Sequence, residues 1–176
     1  MACNLTSGRT EPCRDSLSGL KALYLLDFVE DSFTVVAGEA TAINIAVTEV
    51  FKYELLADGN TLVETFTADQ NTGTSTYEQV LTAALKKQDK ATANELALIV
   101  KSRPVVVVQG RDGSYRVVGI SDGTVATGDI QSGGAKSDFN GYNLTLTATE
   151  VLPAPYLDSA TISALIALES ATVINP

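Results

Sequence analysis

One pentapeptide, Gly119-Ile120-Ser121-Asp122-Gly123, has the residue types found around the nucleophilic serine of some hydrolases. It matches the Gly-x-Ser-x-Gly pattern, in which a strained strand-to-helix turn exposes a serine hydroxyl. A serine nucleophile needs a base, and the usual base is missing because the chain contains no His. The segment also joins two predicted strands instead of opening a helix. We interpret Ser121 as part of a tight turn, and we predict no catalytic residue and no enzymatic activity.

Metal-binding side chains are sparse as well. The stretch Asp138-Phe139-Asn140-Gly141 resembles part of a calcium loop, but Thr149 stands where such a loop needs a bidentate Glu. A turn is favoured, with Asp and Asn bonding the local backbone and Gly141 adopting a positive φ. Cys3 and Cys13 supply at most half a zinc site. We expect free or buried thiols, whose pairing stays open, and we predict no metal and no cofactor.

The charge balance is acidic, with 21 Asp and Glu against 12 Lys and Arg and a net charge of −9. Tight binding to nucleic-acid phosphates needs clustered cations, so this balance argues against it. An acidic surface suits a wall that DNA slides past without sticking, but charge alone favours the simpler interpretation, a protein that only has to stay in solution. The basic cluster of Lys86, Lys87 and Lys90 favours solvation of a helix start or a contact with an acidic neighbouring subunit.

The length of 176 residues favours one domain with a sizeable core. Aromatic residues make up only 6% and Trp is absent, so that core must rest on Val, Ile, Leu and Ala. No apolar run reaches the ~20 residues of a membrane span, and no secretory signal pattern opens the chain. We therefore expect synthesis in a cytoplasm and no membrane contact.

The central part of the chain shows the clearest periodicity. Residues 77–85 alternate as in a strand, and Asp89 can cap a helix over about 89–102 that ends before Pro104. Three turns cannot stand alone, so the helix must pack on a sheet. Its packed face is predicted to contain Ala93, Leu96, Ala97 and Val100.

The following segments predict further strands. Val105–Val108 is a run of β-branched residues typical of a strand buried on both faces. Gly110–Gly113 indicates a hairpin turn, after which 114–120 returns as the partner strand. Residues 127–141 hold several glycines without apolar periodicity and predict a long loop. Residues 142–149 alternate as a half-buried strand.

The N-terminal half also favours strands. A polar segment at 1–19 predicts an extended arm. Residues 20–26 are apolar on nearly both faces and predict a central strand, and shorter strands are expected at 33–36 and around 43–47.

Asp58-Gly59 lies between two β-rich runs, at 51–56 and 61–67, and predicts a hairpin between them. Phe51 and Tyr53 are interpreted as ordinary core residues of its first arm.

The last segment is apolar for a chain end. Its prolines at 153 and 155 argue against a central strand there. Asp158 or Ser159 could cap a helix with one face formed by Ile162, Leu165, Ile166 and Glu169. Apolar surface must be covered, so we expect this tail to contact a neighbouring subunit, with folding back on its own domain as the open alternative.

Together these patterns predict a mainly β fold with a minor α component. Two packed antiparallel sheets would form a sandwich or barrel with one short helix. The expected organisation is an N-terminal arm at 1–19, a β domain at 20–152 and a C-terminal tail at 153–176.

The same segments resemble tail-tube-like and ring-like virion proteins of bacteriophages that infect Bacteroidetes, including crAss-like phages. The resembling stretches cover about a third of the chain and are Gly8–Ser16, Gly19–Tyr24, Tyr77–Leu81, Lys90–Lys101, Val105–Val108, Gly113–Gly119 and Asp138–Glu150. The resemblance implies a tail-tube-like sandwich and brings no catalytic residue with it.

By this resemblance the chain would be a tail tube or tail ring subunit that assembles with itself into hexameric or dodecameric rings, which could stack. The rings would contact neighbouring virion proteins and line a conduit that DNA passes without specific binding. Glu64, Asp69 and Glu78 are candidates for the conduit wall. Assembly would take place in the host bacterial cytoplasm. Alternatives are a head-tail connector or completion ring, a capsid decoration protein, and a non-catalytic β-sandwich binding module.

Overall fold

Eleven strands and two helices make up the part of the chain that the computed structural model describes, residues 7–11, 17–56, 58–170 and 172–174. In chain order these elements are β1 (Leu20–Leu26), β2 (Phe33–Val36), β3 (Glu39–Ile43), β4 (Phe51–Glu54), β5 (Thr61–Asp69), β6 (Thr74–Lys86), α1 (Lys90–Lys101), β7 (Val105–Gly110), β8 (Tyr115–Val118), β9 (Val125–Gln131), β10 (Gly141–Glu150), β11 (Tyr156–Leu157) and α2 (Ser159–Ala167).

The strands form two sheets. The first sheet has seven strands in the order β2-β3-β11-β8-β7-β1-β4, and the second has four in the order β5-β6-β10-β9. Neighbouring strands are antiparallel except for β3 and β11, which run parallel. The predicted mainly β fold with two sheets is confirmed. Neither sheet closes into a barrel in the described residues, so the sandwich form holds.

An inner core lies between the two sheets. The first sheet contributes mainly β1 and β7, which pair along their length, and the second contributes β6 and β10. Its central side chains are Leu23, Leu25, Val106, Val108, Leu81, Leu144 and Leu146. Burying each of these stabilises the fold by roughly 1.5–3 kcal/mol. Strands β1 and β7 are buried on both faces, as predicted, because a second core covers their other side.

The outer core lies on the far face of the first sheet, and α2 covers it. Asp158 caps α2 by accepting a hydrogen bond from the Thr161 N–H at 2.7 Å, and Leu165 on this helix is fully buried. The other main members of this core are Tyr24, Leu26, Phe33, Val50, Val105, Val107 and Leu157. The predicted C-terminal helix is therefore confirmed.

The C-terminal segment folds back on its own domain, which is the alternative that the sequence left open, and a contact with a neighbouring subunit stays a prediction. The two residues of β11 lie inside the first sheet, between β3 and β8. Just before them, the Pro155 carbonyl accepts a hydrogen bond from the Val117 N–H at 3.0 Å. Proline lacks a donor but keeps its acceptor, so residue 155 can precede an interior strand.

Helix α1 begins and ends as predicted, but its packed face is different. The Asp89 carboxylate caps its first turn, and Ser102 ends it before Pro104. The side chains that face the core are Thr92, Leu96 and Ile99, whereas Val100 is 57% exposed. Residues 96–100 are all apolar, so periodicity alone does not fix the helix rotation, and packing beside β9 does.

Two predicted segments are wrong because tertiary pairing decides them. The predicted loop at 127–141 contains β9, an edge strand paired with β10 whose exposed side chains and Gly128 hide the alternation. The predicted hairpin across Asp58-Gly59 is a crossover, because β4 belongs to the first sheet and β5 to the second. Asn60 then accepts a hydrogen bond from the Ala84 N–H at 2.8 Å. The Asp-Gly turn signals a chain reversal without specifying which sheet each arm joins.

Smaller differences concern single residues. The third strand is Glu39–Ile43, and Ile45 beyond it is 96% exposed. The strand ends there because the Asn44 side chain accepts from the Ala46 N–H at 3.0 Å, a local turn. Phe51 is 37% exposed and is no ordinary core residue, while Tyr53 packs partly buried against the inner core.

The predicted N-terminal arm lies mostly outside the described residues, as do Cys3 and Cys13. Its described parts, residues 7–11 and 17–19, are exposed and have no regular secondary structure. Among the described helices, none is both long and apolar enough to cross a membrane.

Candidate assembly surface

Ser121 lies in a turn between β8 and β9, as predicted. Its N–H donates to one oxygen of Glu150 at 3.0 Å, and its hydroxyl donates to the other at 2.5 Å. Glu150, only 5% exposed at the end of β10, thereby fixes the turn to the second sheet. Gly123 has a φ of +76°, and a Cβ there would lie 2.2 Å from the Arg103 carbonyl oxygen. The hydroxyl is thus used as a structural donor.

The Asp138 loop is a turn held by its own backbone. The Asp138 carboxylate accepts hydrogen bonds from the N–H groups of Ala135 at 2.7 Å and Gly134 at 2.9 Å. These bonds favour the charged form and lower the pKa of Asp138. Gly141 does not have the predicted positive φ; a glycine is required because a Cβ would lie 2.1 Å from the Leu85 carbonyl oxygen. Within the described ranges, no group of three or more acidic or Cys side chains could hold a metal ion.

Glu64, a candidate for the conduit wall, points into the sandwich and joins its two sheets. One carboxylate oxygen accepts from the Ala154 N–H at 2.7 Å and from the Gln79 amide at 3.3 Å, and the other lies 3.7 Å from Arg116 on β8. The buried Gln79 side chain in turn accepts from the Gly119 N–H at 3.1 Å. Glu64 therefore stabilises the protomer and is no wall residue.

The other two candidates are exposed but lie apart. Glu78 lies on β6 at the open face of the second sheet, whereas Asp69 ends β5 at the tip of a hairpin. Of the basic cluster, Lys86 ends β6 at the opposite end of that face. Lys87 lies in the turn before α1, where its N–H donates to the Asn140 carbonyl at 2.8 Å, and Lys90 begins the helix.

The open face of the second sheet is rich in threonine. Alternate residues of its four strands point away from the inner core, and every such side chain in the described structure is exposed or half-buried. One row across the sheet, joined by strand register, consists of Thr61, Thr82, Thr145 and Thr127. The next row consists of Val63, Val80, Thr147 and Val125. We call this surface the threonine face.

The threonine face carries few charges. Its carboxylates are Glu78 on β6, Asp129 on β9 and Asp69 at the tip of the β5–β6 hairpin. Its one cation among the described residues is Lys86, at the end of β6 away from that tip. Neutral hydroxyls and methyl groups therefore make up most of the surface. The alternation of Thr145, Thr147 and Thr149 is visible in the sequence, but the rows depend on the pairing of four strands and on β9, which sequence reasoning missed.

The second sheet has two long edge strands. Strand β5 has nine residues and β9 has seven, and among the described residues neither pairs with a strand on its outer side. Neither contains Pro or Lys, and neither pairing shows a bulge, but two other devices that protect an edge are present: the inward-pointing Glu64 on β5 and helix α1 beside β9. The edge strands of the first sheet, β2 and β4, have only four residues each. Strand β5 can therefore accept a further strand, whereas helix α1 lies beside β9 and leaves that edge less open.

Comparisons with known proteins give no family assignment. No family model matches the chain, and neither the curated proteins nor the solved structures yield a significant match. The resemblance to phage virion proteins therefore remains an expectation from the sequence.

Proposed function

We propose that the protein is a structural subunit of a bacteriophage virion that assembles with itself into rings lining the DNA conduit of the tail, as a tail tube or tail ring. The observation that carries this proposal is the second sheet, which has two long edge strands without a further strand partner in the described residues and one open face of nearly uncharged side chains. A surface of this kind in a single protomer favours repeated association of identical copies.

The strand directions are compatible with a ring. The four strands of the second sheet alternate in direction, so β5 and β9 run oppositely at the two edges. Rotating a copy about an axis roughly along the strands places its β5 antiparallel to the β9 of its neighbour. Main-chain hydrogen bonds then extend the sheet from copy to copy, and the contact is head-to-tail, which closes into a ring at the right rotation.

The dimensions suit a channel for DNA. A hexamer would place about two dozen strands side by side, and at ~4.8 Å per strand the circumference is about 115 Å and the diameter about 37 Å before strand tilt widens it. The threonine face would line this channel because the first sheet and both helices lie on the other side of the second sheet. With few cations on this face, passing phosphates find little to bind, and specific DNA binding is not expected.

A connector or completion ring is the second candidate, supported by the same two edge strands. A dodecamer would use the same pairing around a channel of about twice the diameter. Ring symmetry separates the two roles. In either case the partners are further copies of the chain and neighbouring virion proteins, and the site of action is the virion.

Charge placement at the edges tests the proposal. Continuing the valine row from copy to copy brings Val63 of one copy beside Val125 of the next, and both side chains are more than half exposed, at 53% and 62%. Val63→Lys combined with Val125→Lys should abolish rings in negative-stain images, because like charges opposite each other destabilise strand pairing. Val63→Lys with Val125→Glu is the matched control and should keep them.

Circular dichroism must show both double variants folded like the original protein. A protein that stays monomeric at every concentration, or rings that persist in the doubly positive variant, would contradict the pairing proposed here.

A further inference from the structure

A hollow of about 330 Å³ lies on the outer face of the first sheet, beside the end of α2. Helix α2 lies over β3 and contributes only Ile166 to the hollow, so strands β1, β4, β7 and β8 form most of its walls. We call it the tyrosine hollow, because Tyr24 and Tyr115 line it.

Strand register explains where the hollow forms. One row of side chains across the sheet consists of Glu54, Ala22, Gln109 and Tyr115. The methyl group of Ala22 stands between longer side chains, so the surface of the sheet dips at β1. In the next row Tyr24 lies opposite Lys52. The walls of the hollow therefore belong to paired strands, which hold their side chains in fixed positions.

Two tyrosine hydroxyl groups belong to this hollow although their side chains are almost completely buried. Tyr24 is 2% exposed and Tyr115 is 8% exposed, and their ring centroids are 6.1 Å apart. Burial and then the neighbouring Tyr115 raise the pKa of Tyr24, so its hydroxyl stays protonated. Two hydroxyls that bond to each other use one of their two protons, and no other described residue accepts the second. A buried donor without an acceptor is unfavourable, so the hollow needs an occupant that can accept.

The remaining polar groups supply donors and acceptors in balance. Gln109 is half-buried, and its amide makes no hydrogen bond to a described side chain or backbone group. The Lys52 ammonium lies 3.6 Å from the Glu169 carboxylate and 3.8 Å from that of Glu54. Lys21 adds a second cation. Two cations and two carboxylates thus line the hollow, and their charges cancel.

This balance decides which class of ligand fits. An anion would meet two carboxylates, and a cation would have to displace Lys52 from them. An apolar molecule would leave the tyrosine hydroxyls and the Gln109 amide unpaired. An uncharged molecule with several hydroxyls suits every group, because each hydroxyl both donates and accepts. The volume lies at the lower end of the range for small-molecule sites, which suits a single sugar ring.

We propose that the tyrosine hollow binds an uncharged sugar, whose hydroxyls pair with Tyr115, with the Gln109 amide and with the ion pair of Lys52. This site goes beyond the proposed function and does not depend on it, because the hollow lies on the first sheet, whereas the ring contacts and the threonine face belong to the second. A ligand of this size makes few contacts, so its dissociation constant should be about 1–10 mM.

Saturation-transfer NMR on the full-length protein tests this binding, because the method detects weak ligands of single protomers and of large assemblies alike. The probes are glucose, galactose and N-acetylglucosamine, with glucuronate as the anionic and glucosamine as the cationic comparison. At least one uncharged sugar should give a saturable signal and bind at least fivefold more tightly than either charged compound.

Substitutions in the hollow should weaken the binding. Tyr115→Phe and Gln109→Ala each remove one polar group and should raise the dissociation constant at least fivefold. Tyr156→Phe and Gln131→Ala are the matched controls, since both residues are exposed and lie outside the hollow, and they should bind like the original protein. Circular dichroism must show the variants folded. If Tyr115→Phe does not fold, Gln109→Ala decides alone, because its amide has no partner among the described residues.

The outcomes separate this site from the ring. No saturable signal from any uncharged sugar, or unchanged binding by the Gln109→Ala variant, would overturn the site. Preferential binding of glucuronate or of glucosamine would overturn it as well, because the charges of the hollow would then not cancel. Sugar binding by a protein that forms no rings would support the site and overturn the ring, and rings without sugar binding would do the reverse.

Discussion

Leu165→Ala measures how much the packing of α2 on its own sheet contributes to the free energy of unfolding. Leu165 is 0% exposed and packs in the outer core, where α2 lies over β3. Truncating a fully buried Leu typically costs 2–5 kcal/mol, because transfer energy is lost and a cavity remains. In a domain of this size, a loss of about 3 kcal/mol lowers the melting temperature by roughly 6–12 °C.

Ile166→Ala is the matched control, since Ile166 is the next residue of the same helix and is 49% exposed. Its truncation should cost less than about 1 kcal/mol, because much of its apolar surface is in water already. Urea unfolding followed by circular dichroism, at concentrations low enough to keep protomers apart, gives both free energies.

Equal, small effects of the two substitutions would refute the packing of α2 on its own sheet. So would an Ile166→Ala variant that is the more destabilised of the two, because that result would place the other face of the helix in the core.

Three further predictions concern the protomer. Glu64→Ala should lower the free energy of unfolding by about 1–3 kcal/mol, because the Gln79 amide and Ala154 N–H lose their acceptor, and Glu64→Gln should recover part of it in the same urea titration. Hydrogen bonds from Thr92 and from the Ala91 N–H hold the pKa of Asp89 below its usual 3.8. Its contribution to stability is therefore complete above about pH 4 and is lost as the pH falls through the lowered value, so Asp89→Asn should show a flatter acid dependence of the urea midpoint. Gly128→Ala places a methyl group 2.2 Å from the Asn143 carbonyl oxygen and should speed amide exchange throughout β9, whereas the exposed Thr127→Ala should not.

Much of the fold could be predicted because its signals are local. Strands β6, β7 and β10 and helix α1 have their own periodicity, caps or turns in the sequence. The rotation of α1 could not be predicted, since Leu98, Ile99 and Val100 are all apolar and only packing selects Ile99. The partners of β4 and β5 were missed because the choice of sheet depends on contacts distant in sequence.

The candidate surface was harder to predict. Of the proposed wall residues, only Glu78 lies on the threonine face between its ends, and Glu64 binds inside the protomer. Glu64 points inward because its carboxylate accepts hydrogen bonds from the Gln79 amide and from the Ala154 N–H. Ala154 is 90 residues away in sequence, so this direction could not be inferred locally. The edge strand β9 could not be inferred, because an exposed edge strand lacks the apolar alternation that reveals half-buried strands.

An electron cryomicroscopy reconstruction of the assembled full-length protein tests the central claim most directly. The account predicts closed rings in which β5 of each copy pairs with β9 of the next and Thr82 and Thr145 face the channel. Rings held by other surfaces, with the threonine face turned outward, would contradict it.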